Sequence, residues 1–235
     1  MPDPTPRARF VSFAGLDGAG KTTQARLLGA RLAALGLRTV VEAPPGPSFV
    51  RRVLSDLAAD SGADSYLDVL GADTTRLLSA FVRYRDWTTS VVPALRSAQF
   101  VVTDRFAACH YASVRALNGS NEELIRAAFR ALPVPDLTLF LEVPPEVAER
   151  RVATRGVDHQ DLDFLRSYDR AYRSLPEFAG FVRVDGVGTV TDVAARIHDQ
   201  VRVRWPELRP DAGGSATDNR PGAAPAPLVS ARETG

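Results

Sequence analysis

The chain has 235 residues, 45% of them hydrophobic, which suffices for one medium domain with a full core; its single cysteine, Cys109, excludes an internal disulfide. With 29 Lys+Arg against 28 Asp+Glu the formal net charge is +1, so composition supplies no bulk attraction to nucleic acid or to an anionic membrane. No apolar run approaches the roughly 20 residues of a membrane span, and Met1 to Arg7 lacks the apolar core of a signal peptide, so a cytoplasmic protein is expected.

Arg9 to Ala14 reads as a short strand leading straight into a glycine-rich loop. Leu28, Leu32 and Leu35 then recur at i, i+4 and i+7, predicting a helix from Lys21 to Leu35 that Gly36 stops. A second strand is expected at Arg38 to Glu42, followed by the turn cluster Ala43 to Pro47 and a helix from Ser48 to about Ala59. Thr74 to Ser97 predicts one long helix with Leu78, Phe81, Tyr84, Thr88, Val91 and Leu95 on its buried stripe, kinked near Pro93. Strands at Phe100 to Thr103 and Leu137 to Glu142 follow, the second leading into a helix with Val147 on its buried side and Arg150, Arg151 and Arg155 along it. A helix from Asp161 to Leu175, a strand from Phe181 to Asp185 and a final helix to Val203 complete the pattern. Strands alternating with helices predict parallel β-α-β units with helices on both faces of the sheet. Beyond Arg209 the Pro, Gly, Ala and Ser content predicts a disordered tail.

The chemistry concentrates in Gly15-Leu16-Asp17-Gly18-Ala19-Gly20-Lys21-Thr22, which fits the phosphate-loop pattern without a mismatch. Lys21 is the chain's only lysine among 29 Lys+Arg. An ammonium is a compact point charge that moves between β- and γ-phosphoryl oxygens, whereas a guanidinium demands a fixed fork. Strand, loop and helix in that order supply the context the motif needs. Gly15, Asp17, Gly18, Ala19, Gly20, Lys21, Thr22 and Thr23 are therefore the expected ATP-binding residues, cradling phosphate on backbone N–H groups at a helix N-terminus. Thr22 is the expected Mg²⁺ ligand, and Asp104 at the end of a buried strand its partner, directly or through water. A strand-end cap is the other reading of Asp104.

The strings FAGLDGAGKTTQ, VVTDRF and PDLTLFLEVPPEVAERR resemble thymidylate kinase, a P-loop nucleoside monophosphate kinase family, and the likeness runs from about Arg9 to Arg204. It implies a three-layer α/β/α P-loop NTPase fold on a five-stranded parallel sheet, with a kinase domain over 9–205 between a flexible N-terminus (1–8) and a disordered tail (206–235). It also implies an arginine-bearing lid, at about 148–162, and a homodimer paired through helices flanking the sheet. By resemblance Lys21 holds ATP phosphates, Asp17 lies between donor and acceptor, and Arg105 grips the acceptor's phosphate. Arg151 and Arg155 are the lid cations that stabilise the transferring group. A solvated helix face is the other reading of these two.

The chain departs from the family pattern mostly where the acceptor's base and sugar lie. Phe13-Ala14-Gly15 stands where Phe-Glu-Gly is usual, and Glu42-Ala43-Pro44-Pro45-Gly46 lacks the Arg-Glu pair that usually follows the second strand. Ungapped counting puts Arg83 on the arginine that reads the base edge and Ser79 on the phenylalanine that stacks on the base. A slipped register, pairing Phe81 with Arg85, is at odds with a buried Phe81. His110 is either a new acceptor ligand or a packed histidine. Arg51, Arg52, Ser79, Arg83, Arg105 and His110 form the expected acceptor-binding set. The implied activity is ATP- and Mg²⁺-dependent phosphorylation of thymidine monophosphate or a related pyrimidine nucleotide. Phosphorylation of a modified nucleotide or another small phosphorylated metabolite, and an ATP-binding regulatory protein without transfer activity, are the alternatives.

Overall fold

The computed structural model describes residues 7–43, 48–155 and 161–208. Five parallel strands, β1 (Arg9–Ala14), β2 (Thr39–Glu42), β3 (Phe100–Asp104), β4 (Leu137–Glu142) and β5 (Val182–Asp185), form one sheet in the order β2-β3-β1-β4-β5. The strands at its centre are near-continuous apolar runs because helices cover both faces: Phe10, Val11, Phe13, Phe100, Val101, Val102, Leu139 and Leu141 are fully buried. This is the P-loop α/β/α fold expected from the sequence.

Helix α1 (Lys21–Ala34) follows β1 directly, and α2 (Ser48–Asp60) follows β2. Between β2 and β3 lie also α3 (Tyr66–Thr89) and α4 (Val91–Ser97). Helices α5 (Ala107–Ala116) and α6 (Glu122–Phe129) join β3 to β4, while α7 (Pro145–Arg155) and α8 (Leu162–Ser174) join β4 to β5. The last helix is α9 (Val190–Arg204), followed by a 3-10 turn at Pro206–Leu208. Two groups of helices cover the sheet: α1 packs on α9, whereas α5 packs on α8 and is flanked by α3 and α6. A tyrosine fixes the second group, since the Tyr168 hydroxyl on α8 donates to the Cys109 carbonyl on α5 at 2.9 Å.

β1 pairs with β3 on one side and β4 on the other, so the chain reverses its winding direction beside β1. Open α/β sheets bind ligands in the crevice at the carboxyl ends of strands at such a reversal. Phe13 lies opposite Asp104 and Glu42 opposite Thr103, which brings the ends of β1, β2 and β3 to one level.

The long helix differs from expectation in two ways. It starts at Tyr66, capped by Ser65, bends at Gly71 (φ 72, ψ 164), and breaks at Ser90 rather than near Pro93. A proline ring clashes with the carbonyl four residues earlier, here Thr89, and is tolerated in a first helical turn, where Pro93 now sits. Tyr84, Val91 and Leu95 of the predicted stripe do pack on the core, but Leu77, Ala80 and Trp87 take the places expected of Leu78, Phe81 and Thr88. Ala80, Trp87 and Val91 are buried with Leu77 and Tyr84 packed beside them, whereas Phe81 is 49% exposed and Leu78 is exposed too. The helix carries two adjacent apolar faces, and periodicity alone does not say which meets the core.

Helices α5 and α6 have no counterpart in the sequence reading. Cys109, Tyr111, Ala112, Ser113 and Val114 are all buried, so α5 lacks the polar face that marks an amphipathic helix. The expected tail from Arg209, the turn residues Pro44 to Pro47, and Met1 to Pro6 lie outside the described residues.

The corrected stripe can be tested by denaturant unfolding. Trp87, only 3% exposed and packed edge-on or tilted against Phe106, His110 and Phe129, should cost about 3–5 kcal/mol as Trp87→Ala. Thr88→Ala, on the stripe first predicted, should stay within about 1 kcal/mol; equal losses would restore the original phase.

Candidate active site

The phosphate loop needs glycine for steric reasons at two positions. Gly18 has φ 86, and a Cβ there would lie 2.3 Å from the Ala148 carbonyl oxygen. Gly15 has φ 130, and its Cβ would meet the Leu141 carbonyl oxygen at 2.8 Å. Gly20 is the N-cap of α1 and offers no side chain to its first turn, which contains no acidic residue either. The first-turn N–H groups therefore face the cavity without a capping side chain, an arrangement that suits a phosphate. Lys21, 5% exposed, donates from Nζ to the Leu16 carbonyl at 2.6 Å and lies 3.9 Å from the Asp17 carboxylate.

Thr22 donates its hydroxyl to Oδ2 of Asp104, while Oδ1 of Asp104 is buried with no hydrogen-bond partner. An orphan carboxylate oxygen beside a threonine hydroxyl fits Mg²⁺, which takes one or two carboxylates, phosphate oxygens and water. Among the described residues no cluster of three or more His, Cys, Asp or Glu side chains forms a metal cage. A phosphate-borne Mg²⁺ does not require one.

Arg105 turns the chain off β3 in a left-handed conformation (φ 74), fixed by a hydrogen bond from its N–H to the Phe13 carbonyl at 3.1 Å. Such strain in a non-glycine residue persists only where the surroundings hold it. The turn brings its guanidinium back onto Asp17, with which it forms an ion pair. Asp17 thus stands between Lys21 and Arg105, joining the phosphate loop to the end of β3.

These groups line a cavity of about 870 Å³ that also takes in Arg76, Ser79 and Arg83 from α3, Cys109, His110 and Ser113 from α5, and Phe164 and Tyr168 from α8. Arg83 lies 3.9 Å from Asp86. Nearby, burial and the Asp86 carboxylate push Glu42 above the usual carboxylate range, although a hydrogen bond from Ser90 works the other way. His110 lines the cavity and also packs edge-on against Trp87 and Phe129, with ring centroids at 5.7 and 5.5 Å. Burial, reinforced by the positive charges of Arg83, Arg105 and Arg76, lowers its pKa to about 3. The imidazole is neutral at physiological pH.

Ser79, which counting sets at the family's stacking position, lines the cavity. The slipped register fails, but not for the reason the periodicity gave: Phe81 is exposed rather than buried, and Arg85 is exposed beside Asp86. On the opposite side, Arg151 donates to the carbonyls of Gly18 (3.4 Å) and Gly186 (3.2 Å), tying α7 to the loop and to the turn before α9. Arg52 is exposed on α2 and does not line the cavity. The side chains of Arg51 and Arg155, and lid residues 156–160, lie outside the described part. Arg76, Cys109, Ser113, Phe164, Tyr168 and the Gly186–Val190 turn were missed from sequence. Arg76, Ser79 and Arg83 do share one helix face at i, i+3 and i+7, and that polar stripe was the available signal.

A family model for thymidylate kinase matches residues 13–197. Curated thymidylate kinases are similar over most of their length. That of Rhodopseudomonas palustris (strain ATCC BAA-98 / CGA009) is 35% identical, covering 89% of this chain and 94% of the relative. Those of Nitrobacter winogradskyi and Bradyrhizobium sp. (strain BTAi1) are 33% and 32% identical, covering 81% and 84% of this chain and 86% and 91% of the relatives. The chain belongs to the thymidylate kinase family.

As a family member it is a nucleoside monophosphate kinase, and the cavity's charge suits that chemistry. Among the described residues, six cationic side chains (Lys21, Arg26, Arg76, Arg83, Arg105 and Arg151) line it against two carboxylates, Asp17 and Asp104. The surplus matches about two negative charges on magnesium-bound ATP and about two on a phosphate monoester.

His110 gives a pH test. The unfolded chain binds a proton near pH 6.5, whereas the folded ring stays neutral down to about 3. Stability is therefore full above about pH 6.5 and falls as pH drops below it. The melting temperature should fall more steeply between about pH 6.5 and pH 4.5 for the wild type than for His110→Gln; parallel curves would contradict a neutral buried imidazole.

Proposed function

We propose that the protein transfers the γ-phosphoryl group of ATP to the phosphate of thymidine monophosphate, giving the diphosphate and ADP. The carrying observation is Asp17, held in one cavity between the loop's Lys21 and the acceptor-side Arg105. Donor and acceptor cations are thereby fixed relative to each other before either substrate arrives. Phosphoryl transfer asks for in-line placement and for cations on the spreading charge.

Lys21 and the loop N–H groups hold the β- and γ-phosphates. Arg105 grips the acceptor's phosphate and aims one oxygen at the γ-phosphorus, the bond to the β-γ bridging oxygen breaking as the new one forms. Arg151 meets the charge from the lid side, and Arg155 is assigned to the same lid. Thr22 and Asp104 would hold Mg²⁺, which would supply positive charge to offset that of the phosphoryl oxygens. Closure of the lid excludes water, which would otherwise accept the phosphoryl group.

Ser79 favours a second reading of the acceptor, because no aromatic side chain projects from that position of α3 and stacking contributes about 1–3 kcal/mol per base. A panel of nucleoside monophosphates and small phosphorylated metabolites, assayed for ADP release, decides. Thymidine monophosphate should be the best acceptor, and Lys21→Ala should lower turnover at least about 100-fold. Robust activity on another acceptor with none on thymidine monophosphate would establish the second reading. ATP binding without transfer to any acceptor would make the chain a binding protein.

We also assign the protein to the cytoplasm as a homodimer. Among the described residues no helix is long and apolar enough to cross a membrane, and Cys109 is a free buried thiol. Exposed Val53 and Leu57 on α2, and Leu78 and Phe81 on α3, give neighbouring helices an apolar surface suited to a second copy. Phe81→Glu should convert the dimer to a monomer in light scattering, while a monomeric wild type would refute the assignment.

A further inference from the structure

Serine and threonine hydroxyls inside a helix commonly bond back to a carbonyl three or four residues earlier. Those of Thr75, Thr88, Ser97 and Thr154 do so. Ser113 on α5 does not. The carbonyl four residues before it, that of Cys109, receives the Tyr168 hydroxyl at 2.9 Å instead. Among the described residues the Ser113 hydroxyl forms no hydrogen bond, although Ser113 is only 8% exposed and lines the cavity.

The helix sets where that hydroxyl stands. Cys109 and Ser113 are four residues apart and share one face of α5. Cys109 marks the phosphate end of this face, because its side chain interacts with that of Arg105. Ser113 follows one turn later, about 6 Å along the axis. His110 fronts α3 instead: it packs edge-on against Trp87 and feels the charges of Arg76 and Arg83 from that helix. An acceptor with its phosphate on Arg105 and its base along α3 has its sugar between the two, against Ser113.

A hydroxyl both donates and accepts. Buried and unpaired it is costly, and a ligand hydroxyl removes that cost. We propose that Ser113 is a specificity-determining residue that hydrogen-bonds the 2′-hydroxyl of the acceptor's sugar, so that the protein phosphorylates ribonucleoside as well as deoxyribonucleoside monophosphates. The short side chain leaves room for that oxygen. With a deoxyribose, a water in the same place serves Ser113, so the deoxy acceptor is not excluded. The bonds made and broken are those of the transfer described above, since the reacting oxygen belongs to the acceptor's phosphate in either case. This inference rests on the reading of the acceptor as a nucleoside monophosphate.

Thymidine monophosphate and 5-methyluridine monophosphate share a base and differ only by the 2′-hydroxyl, so steady-state kinetics of the full chain with the two test it. The wild type should phosphorylate the ribonucleotide with a kcat/KM within about tenfold of that for thymidine monophosphate. Ser113→Ala should lower kcat/KM for the ribonucleotide about tenfold, mainly through KM, and leave thymidine monophosphate within about threefold. A wild type more than about tenfold poorer with the ribonucleotide, or a variant that loses equally on both nucleotides or on neither, overturns the role of Ser113 and leaves the kinase reading intact. A wild type inactive on every nucleoside monophosphate overturns both. If Ser113→Ala does not fold, the wild-type comparison of the two nucleotides decides alone.

Discussion

The parallel register between β1 and β3 is the constraint on which the site depends. Phe13 opposite Asp104 makes the two strands end together, so the phosphate loop leaves the sheet beside Asp104 and Arg105. From that juxtaposition come the Thr22–Asp104 hydrogen bond and the Asp17–Arg105 ion pair, each joining residues far apart in sequence. A slip of one residue would turn Asp104 to the opposite face of the sheet and break both contacts. Apolar pairs along the same strands, such as Val11 with Val102, hold the register by burial. The polar site thus takes its geometry from the core beneath it.

Arg105 shows how that geometry is completed at a local cost. A continuing extended strand would carry its side chain away from the loop. The left-handed backbone, fixed by the Phe13 carbonyl, folds it back onto Asp17. Asp17 then carries two neighbouring cations, which tempers the repulsion between Lys21 and Arg105 while both await phosphate. Arg151 secures the third side by bridging the loop and the Gly186 turn through carbonyls.

What was legible in the sequence was local. The phosphate loop is contiguous, its glycines answer to close backbone approaches, and the strand and helix around it follow from short patterns. Asp104 was legible because a strand end announces it, and Arg105 because the resemblance to the family implies a phosphate-gripping arginine there. The break at Ser90 and the choice between two apolar faces of α3 were not, because the surfaces that decide them, Phe106 and Phe129, come from elements later in the chain. Helix α5 escaped notice because near-complete burial erases periodicity. Arg76 resembled any solvated helical arginine until packing sealed its Nε beside His110.

The donor and acceptor halves of the cavity are therefore built on different principles. The donor half relies on backbone geometry, with glycines and a helix N-terminus, and such a site tolerates no side-chain variation at its tightest points. The acceptor half relies on side chains from three helices, each free to change without disturbing the sheet. Ser79, Arg76 and His110 line that half of the cavity with hydrogen-bonding groups and charge. A neutral imidazole among three guanidinium groups adds no charge of its own, so the wall's electrostatics belong to the arginines across the physiological pH range.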